Sequence, residues 1–247
     1  MEENSLIYQQ VINNKFFHDF IVFLKYLEQK PIKRTVTGNI SLIDIFSLQK
    51  QFHQQEVFDK FKKYNWEIRS ERQLEFLTKI KIIAETMYVI YKRKGHLMLS
   101  KNGKGYLHNI GPVTQYWSMV LHYWNRVSWE YFNPSPEINR KSVMDILQQN
   151  QNSIWKSLMR KGIQWIDFKL FYQAVKIHFK LEDFYKDLDD FSYYLDIEYG
   201  VIKRNLLLFG CIEVEYKKDK YKFDRIISFR PTEVGIFLFE KGINSII

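Results

Sequence analysis

Cysteine is almost missing from this 247-residue sequence: Cys211 stands alone, which excludes an intrachain disulfide and points to a reducing, cytoplasmic setting. Five prolines and ten glycines are too few for a collagen or a loop-rich linker protein. Long apolar runs are missing too. Phe20-Ile21-Val22-Phe23-Leu24 is among the longest, far short of the roughly 18 residues of a membrane span. The opening Met-Glu-Glu-Asn-Ser has neither the basic start nor the apolar stretch of a secretory signal. What is present is ordinary for a globular chain, with 46% hydrophobic and 26% charged residues. That length suffices for one large domain or two small ones with a real core.

Acid is scarce relative to base: 37 Lys+Arg face 28 Asp+Glu, a formal charge of +9. Such a balance points to a polyanionic partner, nucleic acid above all. The bias of an AT-rich genome toward lysine is the competing source, so distribution matters more than total. The distribution is in blocks. Lys92, Arg93, Lys94, Lys101 and Lys104 fall in an acid-free stretch, whereas Leu181 to Glu198 holds seven carboxylates against Lys186 alone. Cys211 lies within the apolar stretch Leu206 to Ile212, the setting of a buried, inert thiol.

Apolar spacing predicts a helix over 5–27, stopped by Pro31. An extended segment follows over 32–37, then a turn at Gly38-Asn39 and a helix capped by Ser41. Residues 54–67 follow no clear period. Ser70 and Gln73 have capping-box spacing ahead of a helix that would bury Leu74, Leu77, Ile80, Ile83 and Ala84 while exposing Glu75, Lys79, Lys81 and Glu85. Tyr88 to Tyr91 reads as a strand, Lys92-Arg93-Lys94-Gly95 as a basic turn, and His96 to Leu99 as the returning strand. Gly111-Pro112 opens an aromatic-rich helix whose rings are expected in the core. Asn133 to Pro136 is the best linker, giving expected domains 1–133 and 134–247. Helical patterns follow near 138–149, 151–161, 165–179, 182–195 and 200–209, the last ending at Gly210. A strand over 212–216, a charged turn at Lys217-Lys218-Asp219-Lys220, a second strand within 221–229 and a final helix over 232–240 complete the chain.

The two halves close alike: helix, apolar strand, lysine-rich turn, returning strand, then a helix opened by Ser/Thr-x-x-Gly. The signatures are Ser100-Lys101-Asn102-Gly103 and Thr232-Glu233-Val234-Gly235. A hairpin with a positively charged tip behind a helical bundle resembles a winged helix, over about 70–110 and 180–240 of the chain. The expected fold class is mainly α with small β-hairpins (α+β): two winged-helix-like units plus an N-terminal helix. The first half also resembles a group of bacterial proteins without an assigned activity. They share Thr-x-x-Gly-Asn, here Thr35-Val36-Thr37-Gly38-Asn39, a Leu-(Ser/Thr)-x-x-Gly helix start, here Leu99 to Gly103, and a downstream Trp-Glu-Tyr-Phe, here 129–132.

Signs of catalysis are weak. The six histidines (His18, His53, His96, His108, His122 and His178) show no two-ligand helical spacing. Lys101-Asn102-Gly103-Lys104-Gly105 lacks the spacing of a P-loop or a dinucleotide fingerprint. There is no Gly-x-Ser-x-Gly elbow. The expectation is therefore a non-enzymatic protein with no metal or other cofactor. A winged helix sets its third helix in the DNA major groove and its wing on the backbone. That assigns phosphate contacts to Lys92, Arg93, Lys94, Lys101 and Lys104 of the first half and Lys217, Lys218, Lys220 and Lys222 of the second. Lys203, Arg204 and Asn205 lie on the second half's helix before the hairpin, where base readout would occur. The alternative is a protein-interaction or homodimerisation scaffold of the same fold, using Trp117, Trp124 and the acidic helix as contact surfaces.

Overall fold

The computed structural model describes residues 5–133, 142–184, 190–219 and 222–244. The protein is mainly helical with two small three-stranded antiparallel sheets, and it divides into two compact units, Met1–Tyr123 and Trp124–Ile247. That division falls ahead of the Asn133–Pro136 segment; Pro134 and Pro136 lie outside the described residues.

The first unit opens with α1 (Leu6–Ile12) and α2 (Lys15–Gln29). The single helix expected over 5–27 is two. The Asn14 carboxamide accepts from the Phe17 N–H and starts a new helix, because asparagine bonds its own backbone better than it continues a helix. α2 carries Phe16, Phe17, Phe20, Phe23, Leu24 and Leu27 into the core and ends before Pro31. Strand β1 (Ile32–Lys33) leads to the Thr35–Asn39 loop, closed by an Arg34–Ile40 bridge. Gly38 takes φ +83° there, beneath the Arg34 guanidinium. Ser41 caps α3 (Leu42–Gln49) by accepting from the Asp44 N–H. The unassigned 54–67 stretch contains α4 (Gln55–Lys63), whose approach is fixed by buried Asp19, the acceptor for the His53 and Gln54 N–H groups.

Gln73 accepts from the Ser70 N–H as its spacing predicts, but around a 3₁₀ turn, Glu71–Gln73; α5 (Glu75–Thr86) follows. All five expected core residues of this segment are buried. Its expected exposed face is not exposed. Lys79 is 1% accessible, with its ammonium over the Tyr123 ring and 3.5 Å from Glu75. Lys81 reaches the buried Glu71 carboxylate, which also accepts from the Ile40 N–H. Strands β2 (Ile90–Arg93) and β3 (His96–Leu99) form the hairpin, and β1 pairs on the far side of β3, giving the order β1-β3-β2. The turn is only Lys94-Gly95, both at positive φ (46° and 75°), as a two-residue hairpin turn requires. Lys92 and Arg93 belong to β2. Helices α6 (Lys101–Asn109) and α7 (Pro112–Arg126) follow.

In the second unit, Trp124 and Trp129, from 112–132, pack with Trp155 and Phe239; ring centroids of Trp124 and Trp155 are 4.6 Å apart. The aromatic run is core, as expected, except exposed Tyr131 and half-buried Trp117. Ser142 caps α8 (Val143–Gln149); α9 (Gln151–Lys161) follows. The helix expected from 165 begins as strand β4 (Ile166–Asp167), after which Asp167 caps α10 (Phe168–His178). Next come α11 (Leu181–Phe184) and α12 (Asp190–Asp196), and residues 197–207 run on as a π-helix rather than an α-helix. Its Gly200 packs so closely on Met144 that a Cβ would overlap the Sδ atom. The remaining elements are β5 (Ile212–Lys218), β6 (Asp224–Pro231) and α13 (Glu233–Asn244), with the order β4-β6-β5. β5 is longer than expected and carries Lys217 and Lys218 within it, past a bulge at Glu215/Tyr216.

The repeated helix start matches bond for bond. Ser100 N–H donates to the Val89 carbonyl, its hydroxyl donates to the Tyr88 carbonyl, and its oxygen accepts from Gly103 N–H. Thr232 does the same with Cys211, Gly210 and Gly235. Tyr88 and Gly210 both take positive φ (55° and 60°) at the corner before the strand.

Candidate nucleic-acid interface

The five cations expected to act together in the first unit are parted by strand geometry. Lys92 stands opposite Leu97, on the face of the sheet that carries the core, and its ammonium lies 2.7 Å from Glu85 of α5. Arg93 stands opposite His96 on the other face, with Lys94 at the turn, both exposed. Lys101 and Lys104 are exposed on the first turn of α6, at the opposite end of the hairpin from Lys94.

Two residues that the sequence reading did not assign to the interface complete a row. Lys33 pairs in register with His96, and His96 with Arg93. Directly opposed residues project from the same face, so Lys33, His96 and Arg93 form a line across all three strands, about 10 Å from first to last. The next row on that face holds Met98 and the exposed Tyr91. Arg34 N–H donates to the Gly95 carbonyl, which joins the Thr35–Asn39 loop to the Lys94 turn. The 32–37 segment was already legible as extended, and its alternation would have placed Lys33 outward.

The helix before this hairpin cannot enter a groove: α5 has no exposed residue along its length. Phe76 packs edge-on to Phe52 and Phe58, Lys79 lies over Tyr123, and Lys81 and Lys92 engage Glu71 and Glu85.

In the second unit the base-reading set is engaged within the protein, Asn205 buried and Lys203 and Arg204 half-buried. Asn205 is 0% accessible and accepts from the Trp124 indole N–H at 2.6 Å. Its expected role is corrected on that ground, since a sealed carboxamide cannot meet a base edge. Lys203 is bound to the buried Glu198 carboxylate at 2.8 Å and lies over Tyr199. Arg204 donates to the Asn133 carboxamide. Glu198 also accepts from Arg225 and from the Ile226 N–H, so one carboxylate fastens the π-helix to β6. Asp219 and Glu198 together hold the Arg225 guanidinium above its ordinary pKa, outweighing the opposing effect of desolvation.

Lys217, Lys218 and Lys222 are exposed around the second hairpin turn; Lys220 lies outside the described residues. That turn is not purely basic: Asp219 accepts from Phe223 N–H and from Arg225, and Lys218 pairs in register with Asp224. Exposed Tyr216 and Phe223 flank it. Of the acidic block, Asp187 and Asp189 lie outside the described residues, and the side chains of Asp183 and Asp190 are not described.

Cys211 is sealed, and burial raises its thiol pKa. No group of metal-ligating side chains occurs among the described residues, and no helix among them is long and apolar enough to cross a membrane. No family model, curated protein or solved structure matches the chain.

Proposed function

We propose that the protein is a non-enzymatic DNA-binding protein of two winged-helix-like units that holds the phosphate backbone through its hairpins. The observation that carries this reading is the row Lys33–His96–Arg93 with Lys94 beside it, on an exposed sheet face. Helices followed by a hairpin that a third strand completes, in the order first-third-second in both units, support the winged-helix reading. The covered α5 and sealed Asn205 argue for backbone contact over base readout. Three cations of the first unit, Lys33, Arg93 and Lys94, would give a slope of about −2.7 in log affinity against log salt from that unit alone.

The test is binding of a labelled duplex across a salt series, with R93E/K94E as the variant. A steep slope that the variant flattens supports the proposal; undetectable binding at low salt overturns it.

Of the contact surfaces first expected for a protein-interaction role of the same fold, Trp124 is excluded by full burial and Trp117 is half-buried. One surface favours it: Leu42, Phe46 and Trp66 are exposed along a groove of about 440 Å³ between α3 and α4. Patches of this kind mark docking sites. F46D would abolish partner binding and leave the salt-dependent binding intact.

A further inference from the structure

The second unit holds a groove of about 590 Å³ between α9 and α10, away from both hairpins in sequence, whose two walls differ in chemistry. On α9, Ser153, Lys156, Ser157 and Arg160 line it at helical spacing, and both cations are exposed. On α10, Ala174, Ile177 and, at the helix end, the exposed His178 line it, and Leu170, just outside the lining, stands one turn before Ala174 on the same stripe. Ile177 is 76% and Leu170 66% accessible, although both could have been polar on a helix already anchored by Phe171 and Val175. Neither α9 (QNSIWKSLMRK) nor α10 (FKLFYQAVKIH) contains an acid. No carboxylate pairs with Lys156 or Arg160 among the described residues.

We infer that this groove docks an acidic amphipathic helix of a partner protein, its apolar face on Leu170, Ala174 and Ile177 and its carboxylates toward Lys156 and Arg160. Charge complementarity selects the occupant. Lys156 and Arg160 are one turn apart, the separation of carboxylates spaced i, i+4 on an incoming helix, about 6 Å. Each wall is eleven residues long, about 16 Å at the helical rise, or three turns of a third helix. An apolar stripe on one side and paired cations on the other is the mode of a helix laid in a groove.

The experiment measures fluorescence anisotropy of the full chain with a designed peptide of about 18 residues, Leu on one face and Glu on the other. Its Lys-for-Glu counterpart, a myristate-loaded arm and the unlabelled chain's own association state are read in parallel. The expected result is saturable binding of the Glu peptide alone, weakened at least tenfold by K156E/R160E and by I177D, with unchanged circular dichroism. R93E/K94E leaves this binding unchanged, so failure here and failure of the DNA reading are separable. Equal affinity for both peptides overturns the inference, as does indifference to those substitutions. Displacement of the peptide by myristate, or self-association that needs the same residues, would assign the groove to a lipid or to a second copy and overturn it equally.

Discussion

The carbonyl oxygen of Val89 occupies the space a Cβ on Gly103 would need, and the Cys211 carbonyl does the same to Gly235. Backbone cannot yield there as a flexible side chain would. Each helix start is thereby locked to the strand that opens its hairpin, and the corner is built once and used twice.

G103A and G235A are expected to lower stability by about 1–3 kcal/mol each, since the helix must move off the strand. G105A is the control. Its Cβ would meet only Asn109 at 3.8 Å, so a helix-interior glycine replaced by alanine should gain up to about 1 kcal/mol. Urea denaturation of the three variants decides this.

Lys92 and Arg93 are neighbours with opposite assignments. R93A and K94A should each reduce the magnitude of the salt slope by about 1. K92A should leave the slope unchanged, because its ammonium is engaged with Glu85 on the core side of the hairpin. Equal effects from Lys92 and Arg93 would refute the face assignment.

Asn205 is a structural side chain. Removing it in N205A leaves the Trp124 indole N–H without its acceptor, a cost of about 1–3 kcal/mol. DNA affinity measured well below the variant's Tm should not change.

The Asp196 carboxyl is pushed above its ordinary pKa by burial, which the Asn133 amide hydrogen bond only partly offsets. A raised folded-state pKa means that the folded protein binds the proton more tightly than the unfolded chain. Stability is therefore lost as pH rises through the carboxylate range, and the ionised group is a liability at neutral pH. D196N, which keeps an acceptor for Asn133, should raise Tm at pH 7, with the gain fading as pH falls toward the ordinary aspartate pKa of about 4 and gone below it. A gain independent of pH would remove burial as the cause.

Local signals in the sequence were enough for what local chemistry decides. Ser41, Ser100 and Thr232 accept from the N–H groups of Asp44, Gly103 and Gly235, and Gly95 and Gly210 take positive φ where a turn and a helix end were expected. The pairing of the two-residue strands was not legible, although 32–37 read as extended, because Ile32–Lys33 and Ile166–Asp167 find their partners more than sixty residues away. Lys79 has the sequence appearance of a surface residue, and a ring supplied by Tyr123 settles its burial. The π-helix has no periodicity signal of its own; Gly200 against Met144 marks it only once the chain is folded. The basic run 92–94 looked uniform because a charge count ignores the pleat, which turns alternate residues to opposite faces.

The sealed thiol of Cys211 makes the molecule a convenient instrument. A single cysteine placed at Val36, the fully exposed summit of the Thr35–Asn39 loop, would be the one thiol open to a maleimide dye or spin label. Native Cys211 would need no replacement first.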